Sequence, residues 1–396
     1  MNILHVIHSV NPTGGGPIEA IKQLSRATEN HCVEVLSCDL PSDPWTAGFP
    51  LKLHALGTRR STYGYSPLLV PWIRGQQHRY DVVIANGIWQ YSSFGVWRAL
   101  HGSKTPYCVF THGMLDPWFK RQYPLKHLKK WLYWPWADYR TLRDAAAVIF
   151  TAEEERRQAR KSFWLYRCNE VVTNLGISGA NGDCDAQKEL FHTQFPALRD
   201  QRIFLFLGRI HEKKGCDILV EAFSRFIKRD PAACRDFHLV IAGPAESIFA
   251  KRVKDRAEKL GLGLRITWAG MLQGELKWGA FRAAEAFVLP SHQENFGISV
   301  AEALACGTPV LISNRINIWR EIADCKAGFV GDDDLPATLA LLRQWAELSE
   351  AQRTEMSRAA RCCFESRFEI KKAAQSFLAT LADVVEISRS ARSLKD

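Results

Sequence analysis

Short apolar runs alternate with longer helical patterns along the whole chain, and that rhythm predicts a parallel α/β protein. In the first half NILHVIHS, CVEVLSC, DVVIANG, YCVFTHG, AAVIFTA and EVVTNLG read as strands. In the second half RIFLFLG, FHLVIAG, LRITWAG, AFVLPS, PVLIS and AGFVG do. These runs are nearly continuous in apolar residues, and most end in or beside Gly, Ser or Thr before a helical pattern begins. Strands covered by helices on both faces have this character. The rhythm restarts at Ile203 after a polar, patternless stretch, SGANGDCDAQKELFHTQFPALRDQR. The pattern therefore predicts two doubly wound, Rossmann-like domains facing each other across a cleft. Their spans are residues 1–178 and 202–369, with a linker over 179–201. A last helical pattern runs from about Cys363 to Ile387, and periodicity leaves open which domain it covers.

In open sheets of this kind ligands bind beyond the carboxyl ends of the strands. Four strand ends carry candidate chemistry. After the first strand comes SVNPTGGGPIE, where Gly14, Gly15 and Gly16 allow a tight turn and close backbone approach before a helix near Pro17. It is neither Gly-x-Gly-x-x-Gly nor a Gly-Lys-Ser/Thr loop, which excludes both fingerprints; a plain surface turn remains the alternative. The strand YCVFTHG delivers His112, as a structural histidine or one that orients a reacting group. LFLGRIHEKKG places Arg209, Lys213 and Lys214 after a strand, where they form either a solvated basic loop or a grip on phosphate oxygens.

The fourth, HQENFGISVAEALACGTPV, carries Glu294 just before an apolar helical pattern and Glu302 inside it. An unsatisfied carboxylate in such surroundings is costly. One reading makes Glu294 a helix cap and gives Glu302 a basic neighbour. The other follows from length: eight residues at a helical rise of ~1.5 Å span about 12 Å, close to the sugar-to-ribose separation in a nucleotide-sugar. In that reading the amides of Asn295, Phe296 and Gly297 sit at a helix start that favours anionic or hydroxyl-rich ligands.

Composition narrows the classes. With 46% hydrophobic and 24% charged residues over 396 positions, the chain is globular and long enough for two cores. Eleven scattered cysteines without a Cys-x-x-Cys pair fit a reducing, cytoplasmic setting better than a disulfide framework. The opening MNILHVIHSV reads as a strand, not a signal peptide, and no apolar run is long enough to span a membrane.

The net charge of +10 implies an anionic partner. Its most telling stretch runs from Trp118 to Arg140. There Lys126, Lys129 and Lys130 are interleaved with Trp131, Trp134 and other aromatics, without a recognisable nucleic-acid module. It is either an anionic membrane contact on the acceptor side or tryptophans in a core with solvated lysines. The three acids Asp332 to Asp334 read as a solvated turn.

Together, GRIHEKKG and AFVLPSHQENFGISVAEALACGTPVL resemble the Glu-x7-Glu signature and surroundings of retaining family 4 glycosyltransferases with the GT-B architecture. The glycine loop and THGMLDPW resemble the bacterial surface-polysaccharide members. The resemblance implies that Arg209 and Lys214 hold the donor diphosphate, Glu302 the ribose hydroxyls, and Glu294 with the amides of Asn295 to Gly297 the donor sugar. It places Gly15 and Gly16 against the diphosphate and His112 on the transferred sugar. It also implies that the helix at about 370–390 returns to the first domain. The expected partners are a nucleoside-diphosphate sugar, a lipid-linked saccharide acceptor and the inner face of the cytoplasmic membrane. No nucleic acid, metal or resident cofactor is expected. The sequence departs from the family at VIAGPAES, where Pro244 interrupts a usual Gly-x-Gly, and at Thr173–Gly176. A nucleotide-sugar epimerase of similar build and a catalytically silent sugar-binding subunit are the alternatives.

Overall fold

The computed structural model describes residues 1–393 except 13–14, 29–30, 58–60, 119 and 121–123. The chain forms two compact units, one made of Met1–Gly176 with the chain from Ile370 onward, the other of Ile177–Glu369. In unit 1 the strands are β1 (Asn2–Ile7), β2 (Cys32–Ser37), β3 (Lys52–Ala55), β4 (Val82–Asn86), β5 (Tyr107–Phe110), β6 (Ala147–Phe150) and β7 (Glu170–Val172). They pair in parallel in the order β3-β2-β1-β4-β5-β6-β7. Unit 2 holds β8 (Arg202–Leu207), β9 (Phe237–Ala242), β10 (Ile266–Gly270), β11 (Ala286–Leu289), β12 (Val310–Ser313) and β13 (Gly328–Gly331), parallel in the order β10-β9-β8-β11-β12-β13.

Each sheet reverses its strand order once, between β1 and β4 and between β8 and β11. Connections leave the two strands toward opposite faces there, which opens a crevice at their carboxyl ends. The central strands are buried on both faces, so that Val82–Asn86 and Phe237–Ala242 have no exposed residue. This is why they read as nearly continuous apolar runs, broken only by Asn86 and His238.

The helices that matter below are α1 (Gly16–Arg26), α2 (Pro124–Tyr133), α3 (Cys184–Gln194), α4 (Gly274–Ala283), α5 (Ile298–Ala305) and α6 (Ile370–Ser393). Helix α6 lies in unit 1. Its Phe377 ring stacks near His5 of β1 and Phe110 of β5, at 6.5 and 6.2 Å between centroids, and Arg389 pairs with Asp81 at 2.8 Å.

Two expectations need correction. The stretch 179–201 is not a free linker, because it carries α3 and packs in unit 2 against α4. Asp183 caps α3 by accepting the N–H groups of Asp185 and Ala186. Buried Gln187 then donates to Glu275 and accepts from Arg282 of α4, each at 2.6 Å. The same contact sets Gly279 against the Gln187 carbonyl and Phe191, and neither a buried glutamine nor a glycine gives a hydrophobic-periodicity signal. Strand β3 also escapes the pattern: it is four residues long, lies at the sheet edge, and turns Lys52 and His54 to Glu34 of β2 at 2.9 and 2.6 Å.

Among the described residues no helix is long and apolar enough to cross a membrane.

Candidate functional site

In unit 2 the loops that follow β8 and β11, the two strands at the reversal, are tied together. His292 N–H donates to the Lys213 carbonyl at 2.8 Å. Gly215 makes this approach feasible. Its φ is +66°, and a Cβ there would stand 2.2 Å from the Pro290 carbonyl oxygen, so no other residue fits. His211 fixes the turn by accepting from the Lys213 N–H at 3.1 Å. The result sets Lys214 Nζ 2.7 Å from Glu294 Oε1, with Lys213 Nζ at 4.0 Å. Both members of the closer pair are only 16% exposed in their side chains. Arg209 is exposed and makes no hydrogen bond or ion pair among the described residues.

Glu294 and Glu302 do not share one helix. Glu294 bridges to Ile316, its N–H donating to the Arg315 carbonyl and its carbonyl accepting from Asn317. The chain then turns at Gly297, whose φ is +72°, and α5 begins only at Ile298. Their separation is therefore not that of eight residues along one helix. Glu302 lies on α5 and pairs with Lys277 of α4 at 2.7 Å, the basic neighbour that the structural reading gave it, whereas Glu294 is not the cap which that reading made it: no side chain caps α5, and Glu294 pairs with Lys214 instead. Phe296 is buried against Phe368, leaving only its backbone for a ligand. Asn295 Oδ1 accepts from Asn317 Nδ2 at 3.3 Å.

The acids at 332–334 are not a merely solvated turn. Asp333 accepts from Arg315 and pairs with His292 Nδ1 at 2.8 Å. Asp334 caps a helix through the Ala337 N–H. Asp333 thus braces the loop that carries Glu294, a contact that sequence distance concealed. Chemically, the β8 and β11 loops set the Lys213 and Lys214 ammonium groups beside the Glu294 carboxylate, an arrangement suited to a ligand with both anionic and hydroxyl-bearing parts. No cluster of three or more metal-ligating side chains occurs among the described residues.

In unit 1, Gly15 (φ +72°) precedes α1 and Gly16 begins it; a Cβ on either would meet no atom within 4 Å, so this backbone faces open space. Gly14 lies outside the described residues. Asp39 anchors the start of the loop, accepting from Ser9 Oγ at 2.5 Å, Val10 N–H at 2.7 Å and Trp45 Nε1 at 3.0 Å.

His112 follows β5 with φ +49°. Its Nε2 is 3.2 Å from Asn86 Oδ1, and Asn86 Nδ2 is 3.1 Å from His5 Nδ1. Burial, with His5 nearby, lowers the His112 pKa to about 3, so the ring is neutral. The Asn86 orientation assigned from this network puts the His112 proton on Nε2, leaving Nδ1 as an acceptor. Buried Glu155 holds the same turn. It accepts from Gly113 N–H (2.6 Å) and Thr111 Oγ1 (2.8 Å), and from the Thr151 N–H and hydroxyl (2.7 Å each). Asn86 and His5, not singled out from the sequence, each stand as a polar residue in a mainly apolar strand; Glu155, also not singled out, lies on a short charged helix that gives no such signal.

The stretch from Trp118 to Arg140 divides in an unexpected way; residues 119 and 121–123 of it lie outside the described residues. Trp134 is not on a membrane-facing side. It is fully buried, stacked on Phe163 at 4.3 Å, and donates from Nε1 to the Leu165 carbonyl at 2.6 Å. Lys130 also points inward, with Nζ 4.5 Å from the Trp89 ring centroid, and burial lowers its pKa. Lys126, Lys129 and Trp131 do face outward. So do three leucines that the charge pattern had hidden: Leu125, Leu128 and Leu132 are 80%, 57% and 64% exposed. Their spacing puts them on one stripe of α2. A helix packed in the ordinary way would bury that stripe; here it faces out.

Comparison with known proteins gives concordant results. Residues 187–362 match the family described as "Glycosyl transferases group 1", and residues 5–174 match the "Glycosyl transferase 4-like domain". Mannosylfructose-phosphate synthase of Agrobacterium fabrum is 32% identical over 143 residues, which is 35% of this chain and 31% of that protein. A D-inositol 3-phosphate glycosyltransferase of Streptomyces avermitilis is 33% identical over 225 residues, 54% of this chain and 47% of that one. The chain thus spans about a third to a half of these relatives' length. Among solved structures, sucrose-phosphate synthase from Thermosynechococcus elongatus aligns with a TM-score of 0.74 at 19% identity, covering 98% of this chain and 99% of its own. Anabaena HepE in complex with UDP aligns with a TM-score of 0.77 at 17% identity, covering 97% and 100%.

Proposed function

We propose a function from family membership: residues 5–174 belong to the glycosyl transferase 4-like family, residues 187–362 belong to glycosyl transferases group 1, and the fold is of the GT-B type. The protein transfers a sugar from a nucleoside-diphosphate sugar to a lipid-linked saccharide in bacterial surface-polysaccharide assembly, with retention of anomeric configuration. The observation that carries the donor reading is the Lys214–Glu294 contact at the strand-order reversal, beside exposed Arg209. Arg209 and Lys214 stabilise the departing diphosphate, while Glu302 binds ribose hydroxyls and Glu294 the donor sugar. The acceptor oxygen bonds to the anomeric carbon as the bond to the diphosphate oxygen breaks. The leaving phosphate keeps that electron pair and takes the acceptor hydroxyl's proton. Fixed cations supply the electrostatic stabilisation in place of a metal.

Unit 1 binds the acceptor, with His112 directed to the transferred sugar. The outward leucine stripe of α2, flanked by Lys126 and Lys129, rests on an anionic membrane surface on the cytoplasmic side. A second reading comes from the relatives, whose names specify phosphorylated acceptors or products; in it the acceptor is a soluble sugar phosphate.

The test is a thermal-shift series with UDP, GDP and ADP, followed by an assay of diphosphate release from the stabilising sugar donor. The assay is run in excess chelator, with lipid extract or sugar phosphate as acceptor. One nucleotide should raise the melting point with concentration, and acceptor-dependent release should persist in chelator. Donor turnover independent of acceptor would support an epimerase, and full rescue of a chelated enzyme by magnesium would refute metal independence.

Glu302 gives a sharper check. The Glu302→Gln variant should weaken nucleotide binding by about tenfold, the loss of one hydrogen bond to a charged group. Its melting point should stay within a degree or two, because a part-exposed pair with Lys277 contributes only about 0–1 kcal/mol. A lower melting point with unchanged affinity would make Glu302 purely structural.

A further inference from the structure

The two sheets end in four edge strands, β3, β7, β10 and β13. An edge strand offers unpaired N–H and C=O groups to any further strand, and charge, shortness or a bulge normally prevents such pairing. Three of the four edges are protected in these ways. Strand β3 carries Lys52 and His54, both held by Glu34. Strand β7 is three residues long and begins with Glu170, which pairs with Arg160. Strand β10 shifts register between Trp268 and Gly270.

Strand β13 is the exception. Its residues, Gly-Phe-Val-Gly, include no charge or proline, and its register with β12 is unbroken. The Ala327 carbonyl accepts from Val310 N–H and the Gly331 carbonyl from Asn314 N–H, so the odd-numbered residues pair with β12. Alternation then turns the N–H and C=O groups of Gly328 and Val330 to the free edge. Gly328 is required inside the fold, because a Cβ there would stand 1.9 Å from the Val310 carbonyl oxygen. Val330 instead borders a cavity of about 700 Å³, lined also by Trp319, Ala323, Phe329 and Met356. A protecting charge would fit at that position, and an apolar side chain stands there.

The charges lie beyond the two ends of the strand, and they have opposite sign. Lys326 precedes β13 with φ +55°, a left-handed position at a helix end where glycine is favoured. Its ammonium makes no ion pair among the described residues. Asp332 follows β13, is exposed, and uses one carboxylate oxygen to accept from Asn314 Nδ2 at 2.7 Å. Each stands three residues from Phe329.

We infer that β13 is a self-association edge, through which a second copy of this chain pairs antiparallel about a two-fold axis at Phe329. In that register Gly328 of one copy and Val330 of the other exchange both backbone hydrogen bonds, and the axis repeats the exchange. The same register brings Lys326 of each copy within reach of Asp332 of the other. Burial of Val330 and the apolar cavity wall drives the association, and the two ion pairs fix its register.

Sedimentation equilibrium on the full chain is the test, with melting curves to confirm folding. Wild type should form a dimer that dissociates on dilution. Val330→Pro should weaken it at least tenfold, because proline removes an outward N–H and leaves the pairing with β12 intact. Lys326→Glu leaves only acids at the edge and Asp332→Lys only lysines, so each variant alone should self-associate at least tenfold more weakly. Mixed in equal amounts, these two variants should regain a dimer of wild-type affinity, with one copy of each, since every acid then meets a lysine.

A wild-type chain that stays monomeric up to about 100 µM would overturn the proposal. So would a folded Val330→Pro variant or a single charge variant that dimerises like wild type, or a mixture that stays monomeric. If Val330→Pro melts far lower, the charge variants, which leave the strand itself unchanged, decide alone.

Discussion

Replacing Arg209 or Lys214 with Ala is expected to reduce sugar transfer by at least about tenfold to a hundredfold, since each removes a charge-assisted contact worth about 1.5–3 kcal/mol. The two variants should differ in stability. Arg209 is exposed and unpaired among the described residues, so Arg209→Ala should melt like wild type. Lys214 shares a partly buried contact with Glu294, and its removal strands a carboxylate, which lowers the melting point. Combining Lys214→Ala with Glu294→Gln removes that charge and should recover stability without recovering transfer. Calorimetry with the nucleotide, melting curves and product assays on the four proteins separate the effects. Normal turnover in both single variants would remove these residues from the reaction, and transfer restored in the double variant would make Lys214 structural only.

The second large effect concerns α2, where stability and membrane contact should move independently. Trp134→Ala should cost about 3–5 kcal/mol, as deletion of a buried aromatic does, because Trp134 is fully enclosed and bonded to Leu165. Changing Leu125, Leu128 and Leu132 together to Ser should leave the melting point nearly unchanged, as all three already face solvent. The same triple variant should lose at least about a hundredfold in partitioning to phosphatidylglycerol vesicles, since burying a leucine is worth about 1.5–3 kcal/mol. Flotation at low salt, well below the melting temperature, is the measurement. Wild type that does not float, or a triple variant that floats equally well, would exclude this stripe as the membrane contact. A triple variant that melts far lower would show the leucines to be packed.

Periodicity alone determined much of this protein. Strands buried on both faces are apolar at nearly every position, so runs such as Val82–Ala85 and Leu239–Ala242 declare themselves without any partner. The alternation of such runs with helices dictates a doubly wound class, and Gly215 and Gly297 mark the turns that carry the candidate chemistry. These are local constraints, written in consecutive residues.

Tertiary structure decided the pairings and the directions in which side chains point. Nothing in the spacing of Lys214 and Glu294 says that they meet at 2.7 Å; strand order brings their loops together. Helix α3 was invisible because Gln187 packs through polar bonds to a helix almost a hundred positions away. The stretch around α2 misled for a related reason. Its composition mixes Lys, Leu and Trp, and composition has no direction. Only the folded helix turns its leucines outward, sends Lys130 toward Trp89 and is followed by a turn that buries Trp134. Local propensity follows from neighbours in the chain, whereas burial and partnership follow from neighbours in space.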